Sequence, residues 1–111
     1  MLLSAKIDFG RVLKNKPISK DHFFKVYAAR NNLNGARLGI SLPKDKIKNA
    51  TTRNNLKRII RNSLEALSKL SLDIVFVYIS SDEPYDAKIT RESIEHHKNK
   101  ILETTEKNWK T

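Results

Sequence analysis

Residues 74–80 read Ile-Val-Phe-Val-Tyr-Ile-Ser, a nearly uninterrupted apolar run that decides how the rest of the chain folds. A run of this length and composition is typical of a β-strand that is covered on both faces. We therefore expect this strand to lie at the centre of a sheet, with the segments on either side supplying its neighbours and the helices that cover it.

Two further extended segments precede this strand. Residues 23–30 are rich in aromatic and β-branched side chains, and residues 37–42 form a second run that Pro43 closes. Between them, residues 31–35 (Asn-Asn-Leu-Asn-Gly) are a turn-forming cluster. The spacing predicts that the two strands form a hairpin.

Apolar side chains at helical spacing predict three helices. The first is capped by Ser4, carries Phe9, Val12 and Leu13 on one face and ends at residues 15–17. The second spans residues 50–70, and the third follows a turn at residues 82–85 and ends near Trp109. The order helix, hairpin, helix, strand, helix predicts an α/β (α+β) two-layer sandwich, a single domain over residues 1–111.

The charge of the chain indicates a polyanionic partner. The formal net charge is +10, and residues 1–61 hold 15 Lys and Arg against 3 Asp and Glu, whereas residues 62–111 hold 7 against 9. Such an excess favours binding to nucleic acid. The absence of cysteine excludes disulfides, thiolate metal sites and thiol nucleophiles. Because the sequence shows neither a signal peptide nor a run long enough to span a membrane, we expect a soluble, cytoplasmic protein without a membrane partner.

The basic residues concentrate on the second helix and the loop before it. On a helical wheel, the apolar side chains fill one arc and the basic ones the adjoining arc, with Arg53, Lys57 and Arg61 at i, i+4 and i+8. Like charges at this spacing cost a few tenths of a kcal/mol per pair, which a row of phosphates would reverse. A solvated basic face is the alternative, but the helix carries no acid before Glu65. The candidate residues for binding nucleic acid are Lys44, Lys46, Lys48, Arg53, Asn54, Lys57, Arg58 and Arg61.

The order of these motifs resembles the protein component of bacterial ribonuclease P. That family combines a strand of the form Arg-(Leu/Ile/Val)-Gly-(Leu/Ile/Phe)-(Ser/Thr), a lysine-rich loop and a helix with Arg-Asn-Arg-x-x-Lys-Arg-x-x-Arg. Here the corresponding stretches are RLGISLPK at residues 37–44 and RNNLKRIIR at residues 53–61. A weaker likeness upstream and downstream extends the resemblance over nearly the whole chain. The sequence departs from the family pattern at Leu13, Asp45, Asn55 and Asn62.

The resemblance implies an accessory function. Members of this family bind the RNA subunit of ribonuclease P through the basic helix, and they hold the single-stranded 5′ leader of precursor tRNA in a cleft to which Phe9 and Tyr27 correspond. It also implies an αβββα-like fold with a left-handed βαβ crossover. The catalytic centre and its Mg²⁺ would belong to the RNA, so we expect no catalytic residue, cofactor or metal site in this chain, and a monomeric protein in a 1:1 complex with the RNA.

Other functions stay open on the sequence alone. A ribosomal or ribosome-assembly RNA-binding protein would have the same charge and size, and only the motif order separates it from the ribonuclease P family. A self-sufficient nuclease is disfavoured because the sequence shows neither clustered carboxylates nor paired histidines at catalytic spacing. Binding to DNA is disfavoured because no helix-turn-helix or dimerisation heptad accompanies the basic helix.

Overall fold

The computed structural model describes residues 2–3, 6–80 and 86–108, which form a mixed α/β fold with one four-stranded sheet. The fold class expected from the sequence is confirmed. In chain order the elements are α1 (Phe9–Leu13), β1 (Ser19–Lys20), β2 (Phe24–Arg30), β3 (Arg37–Ser41), α2 (Ala50–Leu64), β4 (Leu72–Tyr78) and α3 (Ala87–Asn108). A single 3-10 turn, Glu65–Leu67, follows α2. No helix in these ranges has the length and apolar character needed to cross a membrane.

The strand β4 lies between β2 and β3 in the sheet order β1-β2-β4-β3, which confirms its predicted central position. It runs antiparallel to β2 and parallel to β3. Six of its seven residues are buried, so pairing along both of its edges satisfies backbone groups that would otherwise be buried without partners. The sequence predicted that this strand begins at residue 74, two residues after its observed start at Leu72.

The predicted hairpin between β2 and β3 is wrong. Both strands pair with β4 instead of with each other, and α2 forms the crossover between the parallel strands β3 and β4. The residues between β2 and β3 bond to the segment that leads into β4: Asn31 N–H donates to Ser71 O at 3.0 Å and Ala36 N–H to Ser68 O at 2.9 Å. The left hand of the crossover stays an expectation of the family resemblance.

The pairing register sends alternate side chains to opposite faces of the sheet. One face carries Phe24, Val26, Ile74 and Phe76, which pack against buried side chains of the two long helices, including Leu56, Ile60, Ile94 and Ile101. This face holds the main hydrophobic core. Because α2 and α3 both cover it, the opposite face is left to the short helix α1.

Helix α1 covers one end of that opposite face. Its buried Val12 packs with Ile7, Ala29 and Val75 in a second, smaller apolar cluster. The helix is capped by Asp8, whose Oδ1 accepts the Arg11 N–H at 3.2 Å. The predicted cap, Ser4, lies outside the described residues, and the helix begins later than the sequence indicated. Most of the second face is therefore not covered by a helix.

Helix α2 ends earlier than the sequence predicted. The α-helical part of α2 stops at Leu64, six residues before its predicted end, because the chain tightens into the 3-10 turn before entering β4. Helix α3 is described to Asn108, and its predicted end near Trp109 lies outside the described residues. The two-residue strand β1 was not predicted, since a segment this short has no periodicity to detect.

A buried carboxylate, Asp73, joins four segments of the chain at the start of β4. Arg37 forms a bidentate interaction with this carboxylate: its Nε donates to Oδ1 at 2.7 Å and its Nη2 donates to Oδ2 at 2.6 Å. Asn31 Nδ2 donates to Oδ1 at 2.9 Å, and Arg11 from α1 donates to Oδ2. Arg37 also donates to Lys6 O at 2.9 Å. The cluster thereby fixes α1 and the N-terminal segment on the sheet.

The electrostatics of Asp73 favour its ionised form. Burial alone would raise the pKa of this carboxyl, but the hydrogen bonds from Arg37 and Asn31 and the charges of Arg37 and Arg11 hold its pKa below the ordinary value of 3.8. The ion pairs with both arginines are present in the structure. Asp73 is therefore charged at neutral pH although its side chain is fully buried.

A second buried polar group, His97, connects α3 to the sheet. Its Nδ1 lies 2.6 Å from Ser19 Oγ and its Nε2 lies 3.1 Å from Asp21 Oδ1. Burial is the main influence on its pKa and lowers it below 6.5, against the opposing effect of Asp21. Although serine, histidine and aspartate adjoin one another here, Ser19 and His97 are buried between α3 and the sheet. The ring of His97 also contacts Phe24 and Phe76, so the histidine packs α3 against the sheet.

Replacing Asp73 with asparagine should destabilise the fold. The variant leaves Arg37 and Arg11 without a charged partner, and breaking one side of a buried ion pair costs about 3–5 kcal/mol of unfolding free energy. Because the folded-state pKa of Asp73 is depressed, its contribution is fully present above about pH 4 and is lost as the pH falls through that pKa. Denaturant unfolding of both proteins should therefore show a difference that is constant from pH 7 to 5 and shrinks at lower pH.

The matched control is Asp45→Asn, the same chemical change at an exposed acid. It should alter the unfolding free energy by no more than about 0.5 kcal/mol. An equal effect for the two substitutions would contradict the organising role of Asp73.

Candidate nucleic-acid interface

Helix α2 separates its apolar and basic side chains as the sequence predicted. Leu56, Ile60 and Leu64 are fully buried against the sheet, whereas Lys57 and Arg61 are exposed. The helix begins where Asn49 Oδ1 accepts the Thr52 N–H at 3.1 Å, an N-cap interaction. The core contacts thus fix the rotation of α2 and keep its basic arc in solvent.

The predicted stripe of Arg53, Lys57 and Arg61 divides into two kinds of residue. No carboxylate among the side chains described at residues 6–80 and 86–105 forms an ion pair with Lys57 or Arg61. Arg53 is half-buried, and its Nη1 donates to Ile47 O and Lys48 O at 3.2 Å each. Lys57 and Arg61 therefore present free positive charge, while Arg53 also fastens the preceding loop to the helix.

The three polar residues between these positions, Asn54, Asn55 and Arg58, are also exposed. Arg58 Nη2 donates to Asn55 Oδ1, one turn earlier on the helix, at 3.0 Å. Asn54 lies on the solvent side with its amide accessible. Since the partner of Arg58 is a neutral amide, the pair keeps its full positive charge.

The loop between β3 and α2 brings three lysines next to the helix. The N–H groups of Lys46 and Ile47 both donate to Pro43 O, at 3.0 and 3.2 Å, and Ile47 is buried beneath the loop. Lys44 and Lys48 are exposed and Lys46 is half-buried. The structure thus brings the predicted loop lysines and the basic arc of α2 together on one continuous stretch of chain.

A second candidate surface, the open face, is the part of the sheet beside α1. Tyr27 on β2 is paired with Val75 on β4, which in turn is paired with Gly39 on β3. These residues form one row across three strands, about 10 Å from end to end. Tyr27 is half-buried, and Val77 next to it is only partly covered. Val75, in the middle of the row, is fully buried under Val12 and Ile7, so the accessible part of this face lies at Tyr27 and Val77.

Phe9 covers Gly39, at the other end of that row. A Cβ placed on Gly39 would lie 2.6 Å from Phe9 Cζ and 3.0 Å from Ile7 Cγ2, so the phenyl ring sits directly on the glycine. About a third of Phe9 stays exposed. Glycine permits this close approach because it has no side chain. Phe9 and Tyr27, the two residues predicted for a cleft, therefore do lie on the same face of the sheet.

The open face also contains two lysines that the sequence did not single out. Lys20 on β1 is paired with Lys25 on β2, and Lys25 alternates with the buried residues Phe24 and Val26. Alternation along β2 could have placed Lys25 beside Tyr27, but nothing in the sequence signals the two-residue strand that carries Lys20. Aromatic rings together with lysines suit a flexible, single-stranded nucleic acid, since rings stack on bases and lysines attract phosphates.

Nothing in the described part of the chain suggests a protein-held metal centre. Residues 2–3, 6–80 and 86–108 contain no group of three or more histidine or acidic side chains placed to hold a metal ion. The chemistry available at both surfaces is that of recognition: charge, hydrogen bonding and stacking.

Comparison with known proteins identifies one family. The family model described as Ribonuclease P matches residues 1–106. The ribonuclease P protein component of Macrococcus caseolyticus is 38% identical over 96 residues, which cover 80% of this chain and 79% of that protein. The corresponding protein of Lachnoclostridium phytofermentans is 38% identical over 72 residues, 62% of this chain but only 61% of its own length.

A solved structure agrees with these sequence matches. The ribonuclease P protein of Staphylococcus aureus superposes with a TM-score of 0.71 at 28% identity, covering 90% of this chain and 93% of that one. The similarity therefore extends through the sheet, both long helices and the segment that contains the basic face of α2.

Proposed function

This chain belongs to the ribonuclease P protein family, and from that premise we propose that it is the RNA-binding subunit of a ribonuclease P. It binds the RNA subunit of that ribonucleoprotein and the 5′ leader of precursor tRNA. In doing so it assists the endonucleolytic removal of the leader that leaves the mature 5′ end of the tRNA. The observation that carries the proposal is the basic arc of α2, in which Lys57 and Arg61 are exposed and form no ion pair with a carboxylate that the structure describes.

The basic arc is suited to an RNA backbone. Lys57 and Arg61 lie one helical turn apart on the exposed side of α2, and like charges at this spacing oppose helix formation slightly. Phosphates would turn that repulsion into attraction, with release of counterions. The guanidinium group of an arginine can donate two parallel hydrogen bonds to the oxygens of one phosphate. The loop lysines Lys44, Lys46 and Lys48 extend the same surface toward β3.

The open face is suited to the leader. Phe9 and Tyr27 offer partly exposed aromatic surface at opposite ends of one row of the sheet, about 10 Å apart, and Lys20 and Lys25 add charge near Tyr27. Stacking of bases on such rings tolerates any sequence, because every base has a π-face. The leader of a precursor tRNA is single-stranded and varies between tRNAs, so a site of this kind would accept many leaders.

In the proposed complex the chemistry belongs to the RNA. The RNA subunit holds the Mg²⁺ ions that support phosphodiester hydrolysis, and this chain supplies binding and orientation. We expect one monomer per RNA and a cytoplasmic location. A ribosomal or ribosome-assembly RNA-binding protein is the alternative, and it would share the basic arc without any requirement for the cleft.

The first test is a cleavage assay. A precursor tRNA with a 5′ leader is incubated at low Mg²⁺ with the RNA subunit of a bacterial ribonuclease P, with and without this protein, and with the protein alone. We expect cleavage at the mature 5′ end only when RNA and protein are both present, because the protein offsets phosphate repulsion that Mg²⁺ otherwise screens. The readout is the rate of release of the leader.

Other outcomes are equally informative. Tight RNA binding without stimulation of cleavage would favour the ribosomal alternative. Cleavage by the protein alone would contradict the assignment of catalysis to the RNA and would revive the self-sufficient nuclease.

The basic arc is tested by the double variant Lys57→Ala with Arg61→Ala. Binding to the RNA subunit should weaken, and the slope of log affinity against log salt should become shallower by about 0.7–0.9 for each phosphate that the variant no longer neutralises. The matched control removes two exposed lysines elsewhere, Lys69→Ala with Lys100→Ala, with the same change in net charge. An identical decrease for both pairs would indicate a general charge effect instead of a defined interface.

The leader site is tested by Tyr27→Ala. This variant should lose about 1–3 kcal/mol of binding to leader-containing precursor tRNA, the contribution of one stacked base, with no loss for mature tRNA. Tyr27→Phe keeps the ring and should retain most of the affinity. Phe9→Ala should behave like Tyr27→Ala, although it also removes the packing of the ring on Gly39. Equal losses for substrates with and without a leader would point to damage of the apolar cluster beneath α1.

A further inference from the structure

A groove runs between α2 and α3 on the side of the molecule away from the open face. It consists of two adjoining cavities of about 230 and 310 Å³, which share Ile59, Asn62 and Arg91 as lining residues. Since three residues belong to both, the cavities are two halves of one groove. The first half is completed by Thr52, Asn55, Arg58 and Ala87, and the second by Ser63 and Glu95.

The two halves differ in charge. The first half is lined by Arg58 from α2 and Arg91 from α3, and none of its lining residues that the structure describes is acidic. Arg91 is exposed, and no ion pair with a carboxylate is present for it in the ranges that the structure describes. Two unneutralised arginines that line one cavity from different helices repel each other. The repulsion would be relieved by an anion between them.

The acidic residue of the second half is already paired within the protein. Glu95 accepts a hydrogen bond from Ser63 and forms an ion pair with Lys98 at 2.8 Å. The hydrogen bond from Lys98 is the main reason that the pKa of Glu95 is lowered, so this acid is ionised and already paired at neutral pH. Glu95 therefore forms its ion pair with Lys98 and none with Arg91, and the excess of positive charge in the groove lies at the end that contains Arg58.

We propose that this groove binds a phosphodiester of the RNA backbone between Arg58 and Arg91. The inference rests on the proposed function and deepens it, because it extends the RNA-binding surface from the basic arc of α2 across to α3. The side-chain amides of Asn55 and Asn62 can donate to phosphate or ribose oxygens, and half-buried Ile59 gives an apolar floor. Each half of the groove is near the lower limit of small-molecule sites, about 300 Å³, which suits one nucleotide unit.

The test uses the complete chain and the RNA subunit of a bacterial ribonuclease P. Affinity is measured against salt concentration for the unaltered protein, Arg91→Gln and the control Lys100→Gln, which removes one exposed charge from α3 outside the groove. For Arg91→Gln we expect the decrease in affinity between 50 and 200 mM salt to be about threefold smaller than for the unaltered protein, the effect of neutralising one phosphate fewer. Lys100→Gln should follow the unaltered protein.

A double-variant cycle with Arg58→Gln tests whether the two arginines share one phosphate. Groups that act on the same phosphate are coupled, whereas distant groups contribute independently. The affinity loss of the Arg58→Gln, Arg91→Gln protein should therefore differ from the product of the two single losses, while Arg58→Gln with Lys100→Gln should be multiplicative. Thermal unfolding of each variant verifies that the exposed substitutions leave the fold intact.

The outcomes separate this inference from the proposed function. If the unaltered protein binds the RNA with a steep salt dependence and Arg91→Gln does the same, the groove is not a phosphate site and the inference is overturned, while the proposed function stands. If Arg58→Gln and Arg91→Gln reduce the affinity for the RNA independently of each other, the two arginines do not share one phosphate. If the unaltered protein itself fails to bind the RNA, the proposed function fails and the inference fails with it.

Discussion

The fold depends on the ionised carboxylate of Asp73, which is buried at the start of the central strand. Taking such a charge out of water costs several kcal/mol, and only multiple hydrogen bonds and opposite charges offset the cost. The donors come from three other segments: Arg37 on β3, Asn31 after β2 and Arg11 on α1. Since each donor is needed to satisfy the acid, the position of α1 on the sheet follows, and with it the position of Phe9 against Gly39.

Parts of the fold that depend on local patterns were predictable. The apolar run at residues 74–80 identified the central strand, and the 3.6-residue period of residues 56–64 identified which side of α2 is buried. Strand pairing, by contrast, joins residues that are far apart in the sequence. The Asn-rich segment after β2 is compatible with a tight turn, but β3 gains more by covering the second edge of a buried strand than by pairing with β2. The order strand, helix, strand over residues 37–80 is itself typical of a parallel βαβ unit, and the hairpin prediction gave more weight to the short turn than to this order.

The candidate site likewise contains some residues that local patterns predict and others that only the tertiary structure reveals. The exposed charges of Lys57 and Arg61 follow from helical spacing, so the sequence sufficed to predict them. The hydrogen bonds of Arg53 depend on how the preceding loop folds back, and the groove that contains Arg91 depends on how two helices pack. Lys25 is an intermediate case, because strand alternation places it beside Tyr27, but a lone lysine in a strand ordinarily indicates only solvent exposure.

The two hydrogen bonds from Arg53 to the carbonyls of Ile47 and Lys48 have an entropic consequence. A lysine-rich loop that is disordered before association must give up its conformational freedom when it binds, at about 0.5–1.5 kcal/mol for each long side chain that becomes immobilised, in addition to the ordering of its backbone. In this protein the backbone of the loop is already held in the free state. Arg53 therefore lowers the ordering penalty for its neighbours: an arginine can strengthen association by making the unbound surface rigid, apart from any phosphate that it touches itself.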